Sequence, residues 1–185
     1  MILGDPIRIS PEDFEQTVKS WLVASAGALE SFEASHRDVL DGSDGEYEID
    51  VAVRYKAFGG ANFLMLVECK KHSNPIKREV VQVLNDKLRA IGAQKGMLVS
   101  TASFQKGAHE YAAKHGIALV TVVDGKFAYV LASGAPRPPS LPLDVPKYAG
   151  WLEYRSADGS RAFHVFNERK ITALSESLGL NDRPR

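Results

Sequence analysis

The feature that most limits how this chain can fold lies between residues 46 and 92. Two extended stretches, about 46–55 and Asn62–Lys71, flank Gly59-Gly60, and such runs about a tight reversal mark the arms of an antiparallel hairpin. After Pro75 the period changes. Val80, Val81, Leu84, Leu88 and Ile91 recur at helical spacing, with Gly92 near the end.

The rest of the chain supplies more of the same units. Ser10-Pro11-Glu12-Asp13 is a helix start, with a capping serine, proline at the first helical position and acids in the first turn. Phe14, Val18, Trp21, Leu22 and Leu29 continue it as an apolar stripe. A strand is expected at about 31–39, then the turn Asp41-Gly42-Ser43-Asp44-Gly45. Gly96–Thr101 is a buried strand, 103–115 a helix closed by Gly116, and Ile117–Val123 a further strand that Asp124-Gly125 turns into Phe127–Leu131. The order α-β-β-β-α-β-α-β predicts an α/β fold, a central mixed sheet flanked by helices on both faces.

Five of the nine prolines fall within Pro136–Pro146, a composition that suits an extended linker. The expected division is therefore a main domain over 1–133, a linker over 134–146 and a C-terminal extension over 147–185. In the extension, 151–156 and 161–166 flank Asp158-Gly159 as a hairpin, followed by a short helix near 168–178. A piece this small cannot hold a core alone and should pack on the main domain or on a partner subunit.

Charge narrows the function classes. Lysine plus arginine balance aspartate plus glutamate at 23 each, which excludes a uniformly basic nucleic-acid coat. The distribution is uneven: residues 1–50 hold twelve acids and three bases, whereas 69–96 hold seven bases against Glu79 and Asp86. A local basic segment can still grip phosphates, because fields reach only ~8 Å at physiological salt; Lys71, Lys77, Arg78 and Arg89 in it are candidate nucleic-acid contacts, and a solvated helix surface is the plainer account. One cysteine, Cys69, leaves no internal disulfide and no cysteine-based zinc cage. No apolar run approaches the ~20 residues of a spanning helix, so a cytoplasmic, membrane-free protein is expected.

The chemistry concentrates in Glu48-Ile49-Asp50 and Glu68-Cys69-Lys70. Alternate strand side chains share a face, so Glu68 and Lys70 point together and Cys69 away. Glu48 and Asp50 are expected to share a face opposite Tyr47, Ile49 and Val51. A reversal centred at Gly59 then sets Asp50 against Glu68 and Glu48 against Lys70. Two carboxylates across a ladder repel, and a cation between them removes the conflict. Two acidic oxygens plus waters suit magnesium, with manganese as a substitute. Lys70 beside them would hold or help deprotonate a water, or neutralise charge on a phosphoryl oxygen.

With Asp13-Phe14-Glu15, Glu48-Ile49-Asp50-Val51 and Leu66-Val67-Glu68-Cys69-Lys70-Lys71 in view, the chain resembles the PD-(D/E)XK nuclease superfamily, with its restriction-endonuclease-like fold, and in particular the Mrr-type catalytic domain. Lys95–Thr101 with Phe104 and Ala108, and Ile117-Ala118-Leu119-Val120, are similar to the segments that close that domain. The resemblance spans about residues 10–131. It implies divalent-metal-dependent cleavage of DNA, with Asp50 and Glu68 as metal ligands, Lys70 as the catalytic lysine, Glu15 as a supporting acid and Gln82 as the helical glutamine that follows the Glu-x-Lys strand. Glu15 in a first helical turn also satisfies the helix dipole without catalysis, and Gln82 shares a polar face with Arg78, Asn85 and Arg89. Family members often carry glycine where this chain has Glu48, which leaves that acid as a third ligand, a partner of Lys70 or a sign of altered chemistry.

Other motifs fail. His109, Glu110 and His115 lack the four-residue histidine interval of a helical zinc site. Cys69 and His72 have no second pair to complete a cage. The chain has no phosphate-cradling glycine loop, dinucleotide fingerprint or nucleophile elbow, and His36 and His164 have no distinguishing context. The expected activity is thus a Mg²⁺-dependent restriction or defence endonuclease. A Holliday-junction or repair nuclease of the same fold, and a non-cleaving nucleic-acid-binding or assembly module, are the alternatives. DNA is the expected partner, and a homodimer is left open.

Overall fold

The Ser10 side chain caps the first helix by accepting the Asp13 N–H at 3.0 Å, and Pro11 opens it. This helix, α1 (Pro11–Ser25), buries Phe14, Val18, Trp21 and Leu22 along one stripe. Two long strands follow, β1 (Glu30–Gly42) and β2 (Gly45–Ala57), joined through Ser43-Asp44 and paired antiparallel. Gly59 and Gly60 take φ of 77° and 113°, a conformation open to glycine at little cost. They turn the chain into β3 (Ala61–Lys70). The computed structural model describes residues 7–26, 29–124, 146–155 and 161–167.

The β2–β3 register is symmetric about Gly59, from Ala57↔Ala61 to Val51↔Val67. Helix α2 (Arg78–Ile91), ended by Gly92 in the left-handed region, returns the chain to β4 (Lys95–Ser100), parallel to β3. Helix α3 (Lys106–His115), ended by Gly116, leads to β5 (Ile117–Asp124), parallel to β4. It starts three residues later than expected because Ser103 and Gln105 bond to Ile76 at 2.8 and 2.9 Å, in the bridge between Ile76 and Phe104.

Strands β6 (Tyr148–Arg155) and β7 (Arg161–Phe166) complete a sheet whose order follows the sequence, β1 to β7. The fold is α/β with a mixed sheet, antiparallel at both flanks and parallel through β3-β4-β5. One face packs under α1 through Val51, Val53, Val67, Cys69 and Val120. The other packs under α2 and α3 through Ile49, Ala52, Leu66, Leu98 and Leu119. Central parallel strands covered on both faces read as continuous apolar runs, as Met97-Leu98-Val99 does.

The C-terminal hairpin joins this sheet directly. β6 pairs with β5 from Val120↔Leu152 to Asp124↔Tyr148. Phe166 is 1% exposed and meets Trp21 of α1 edge to face, with ring centres 5.6 Å apart. Its ring also lies on Gly150, where an added Cβ would stand 2.2 Å from Phe166 Cζ. Gly150→Ala should therefore force the ring off its seat and lower unfolding stability by about 1–3 kcal/mol, measurable by urea titration. The expected strand at Phe127–Leu131, the linker up to Val145 and the helix near 168–178 lie outside the described residues. No described helix is long and apolar enough to cross a membrane.

One expectation about β2 is corrected. Ile49 and Val51 do not share a face: Ile49 packs under α2 and α3, and Val51 under α1. The β1–β2 ribbon turns over between the pairs His36↔Val51 and Asp38↔Ile49. Arg37 sits there with φ 50°, a conformation uncommon for a side chain with a Cβ. The two-residue alternation therefore breaks at Asp50.

Candidate active site

Asp50 stands where β2 parts from β3. The ladder between them ends at Val51↔Val67. Just beyond it, Asp50 Oδ2 accepts the backbone N–H of Cys69 at 2.7 Å. The side chain takes the place of a ladder carbonyl, so the carboxylate is fixed between the strands. Burial pushes the Asp50 carboxyl above the usual carboxylate range. The Cys69 N–H bond and Lys70 oppose that rise, while the negative charges of Glu68 and Glu15 add to it.

Glu68, near the end of β3, is 5% exposed. Its Oε2 accepts from Lys70 Nζ at 3.0 Å, and its Oε1 accepts from Lys87 Nζ of α2. Lys87 also donates to the Glu48 backbone carbonyl at 3.3 Å. Burial works against the charge on Lys70, but attraction and hydrogen bonding from Glu68, with Asp50 behind it, outweigh this and raise its pKa above the usual lysine value. Lys70 is therefore a firmly held ammonium. Cys69 points the opposite way into the core under α1; burial, then the neighbouring Asp50, push its thiol far up, so it is neither ligand nor nucleophile at neutral pH.

Glu15 is buried on α1 and is tied to β1. Its Oε2 accepts from His36 Nε2 at 2.7 Å and from Arg37 Nε at 3.2 Å. Gln16 Nε2 lies 2.8 Å from His36 Nδ1; with the amide donating there, the imidazole carries its proton on Nε2, facing Glu15. Glu15 thus bonds to the ribbon where it turns over and reaches Asp50 only through its field.

The other expected residues are placed differently. Glu48 is exposed and pairs with Val39; the expected meeting with Lys70 is not formed, because Lys70 turns to Glu68. Gln82 is half-buried on α2, roughly 140° around the helix from Lys87, and it is Lys87 that reaches the acids. Asn85, expected on a solvated face, is buried and donates to Tyr111 Oη at 3.0 Å. Arg78 lies over the Tyr111 ring at 5.1 Å. Lys71 and Lys77 are exposed in the β3–α2 connection, and Arg89 is exposed near the far end of α2.

Three groups at the site escaped the sequence reading: Lys87, His36 and Arg37. The first-hairpin pairing Gly42↔Gly45 carries a usable signal, since counting back along it sets Arg37 across from Asp50. Lys87 has no such signal, because only the packing of α2 on the sheet brings it to Glu68.

The donor set suits a small hard cation. Asp50 Oδ1 makes no hydrogen bond among the described residues, the charge of Glu68 is felt at Asp50, and magnesium binds through one or two carboxylates while keeping several waters. Among the described residues no cluster of three metal-ligating side chains occurs.

Among solved structures, the chain is similar to a protein of unknown function, AF1548 (22% identity, TM-score 0.47, 58% of this chain and 56% of that one). It is also similar to the MspJI restriction endonuclease in complex with a 27-mer oligonucleotide (18%, 0.43, 58% and 25%). A third is the DNA modification-dependent restriction endonuclease AspBHI (13%, 0.38, 64% and 35%). The chain spans little more than half of the first of these, a quarter of the second and about a third of the third. No curated protein matches significantly. The Mrr catalytic-domain model of restriction endonucleases matches residues 7–126, from the start of α1 through β5 and including Asp50, Glu68 and Lys70, and the chain belongs to that family.

Proposed function

We propose that this chain hydrolyses DNA phosphodiester bonds with a divalent cation held by Asp50 and Glu68, as a restriction or defence nuclease. The observation that carries the reading is the meeting of Asp50, Glu68 and Lys70 where β2 and β3 separate, within the matched family domain. A bound magnesium ion, or manganese in its place, supplies Lewis acidity at a phosphoryl oxygen. The chain's residues do the rest. Lys70 offers an ammonium to charge developing on the phosphate, a role its raised pKa favours over proton abstraction in the metal-free protein. Glu15 steadies the ribbon beneath Asp50 through Arg37 and His36. Lys71 and Lys77 contact the DNA backbone beside the site, with Arg78 and Arg89 extending the basic surface along α2, and Gln82 serves as a second-rank contact from that helix.

The reading takes residues 1–133 as the nuclease unit, 134–146 as a linker and 147–185 as an extension whose hairpin continues the sheet. It places the protein in the cytoplasm, in keeping with its free buried thiol.

Conversion of supercoiled plasmid to nicked and linear forms tests the proposal. Cleavage should require Mg²⁺ or Mn²⁺ and stop with chelator, and Lys70→Ala should slow it by about 10²–10³-fold. Cleavage indifferent to chelator and to the substitution removes the nuclease reading. One observation favours a second reading, a non-cleaving DNA-binding module: both Glu68 oxygens are already occupied by ammonium groups. In that case plasmid is bound but not cut, and binding weakens steeply with salt.

A further inference from the structure

The Glu68 carboxylate has one ammonium on each oxygen, and the two lysines reach it from different elements. Lys70 lies on the same strand, feels the charge of both Glu68 and Asp50, and is bonded to Glu68 Oε2. Lys87 arrives from α2 on a long flexible stem. Glu68 is its one carboxylate partner among the described residues, and its further contact is the 3.3 Å bond to the Glu48 carbonyl. Its side chain is 19% exposed, against 32% for Lys70, so the difference between the two is one of origin: Lys87 reaches Glu68 from a separate element and can withdraw with its stem without disturbing the strand. Around the acids the fixed charges balance: Glu15, Asp50 and Glu68 stand against Arg37, Lys70 and Lys87. A divalent cation entering that gap meets a site already neutralised, and two ammonium groups and a divalent ion on one small carboxylate repel.

We infer that Lys87 is the built-in counter-ion of the metal-free site: it holds Glu68 Oε1 until a divalent cation enters, then leaves it, so that metal loading is a competition with this lysine. The inference rests on the assignment of Asp50 and Glu68 as metal ligands. Lys70, bonded to Glu68 and attracted by Asp50, stays and keeps its place beside the substrate phosphate. The exchange is one of non-covalent partners: Glu68 trades an ammonium hydrogen bond for the cation, and Lys87 is rehydrated. An Oε1 kept satisfied in this way also explains how a carboxylate so deeply buried is tolerated without metal.

The experiment uses the full chain without DNA. Mg²⁺ and Ca²⁺ are titrated calorimetrically into wild type and Lys87→Met, which removes the charge but keeps the apolar stem. The variant should bind either cation at least about tenfold more tightly, the scale of one charge-assisted hydrogen bond no longer broken on loading. Wild type with measurable affinity and a variant that binds equally or more weakly overturns the counter-ion role while leaving the metal site intact. Binding by neither protein overturns the metal site and the inference together. Amine labelling of wild type, read by mass spectrometry, does not depend on the variant folding. Lys87 should become more reactive on adding Ca²⁺, and unchanged or reduced reactivity contradicts its displacement.

Discussion

Asp50→Asn should abolish cleavage and at the same time make the metal-free protein more stable. Removing the carboxylate takes away the anchor of the proposed cation, and plasmid cleavage should fall on the order of 10³-fold or more. Stability moves the other way because burial, with Glu68 and Glu15 nearby, raises the Asp50 carboxyl in the folded state. A group raised on folding binds its proton more tightly folded than unfolded, so its ionised form costs stability. That cost is absent below the unfolded pKa, grows as pH rises through the interval between the two values, and is complete above the folded pKa. The asparagine chain should melt a few degrees higher at neutral pH in chelator, with the gain shrinking in acid. The amide oxygen still accepts the Cys69 N–H, so the strand junction survives. Added Mg²⁺ should raise the melting temperature of wild type and not of the variant, since a ligand stabilises the state that binds it. A variant that keeps its activity, or that melts lower than wild type in chelator, contradicts the assignment of Asp50.

The second large effect is at the opposite side of the sheet. Phe166→Ala should cost about 3–5 kcal/mol, because the ring is buried between Trp21 and Gly150 and belongs to the core under α1. For a chain of this length the melting temperature should drop on the order of 10 °C. Truncation after Ser133 goes further. It removes Leu152 and Phe166 from that core and uncovers the β5 edge at Val120 and Val122. The truncated protein should bind an apolar dye and aggregate, as an exposed apolar strand edge leads one to expect. A soluble monomer with unchanged melting would show that the hairpin adds nothing to the core.

Much of this was legible from local signals. The β2–β3 register could be read because Gly59-Gly60 marks its centre, and the observed pairs are symmetric about Gly59 down to Val51↔Val67. Helix α1 followed from its cap and proline, and α2 from its apolar stripe and Gly92. The site was legible only as far as those signals reach. Alternation along β2 assumes a flat strand, and Arg37 turns the β1–β2 ribbon over opposite Asp50; Glu48 therefore leaves the site that a flat strand would have given it. Lys87 belongs to a third kind of information. On α2 it is one polar residue among several, and it becomes a partner of Glu68 only when the helix docks on the sheet. Asn85 departs from the polar-face pattern of α2 for the same reason, since α3 supplies the Tyr111 that satisfies it.

The central claim is that one cation bridges Asp50 and Glu68. A crystal of the full chain soaked in Mn²⁺, with anomalous scattering recorded, tests it most directly. A single strong peak within about 2–2.3 Å of a carboxylate oxygen from each residue is the predicted result. No peak there, or manganese bound elsewhere while Lys70 and Lys87 still hold Glu68, would contradict it.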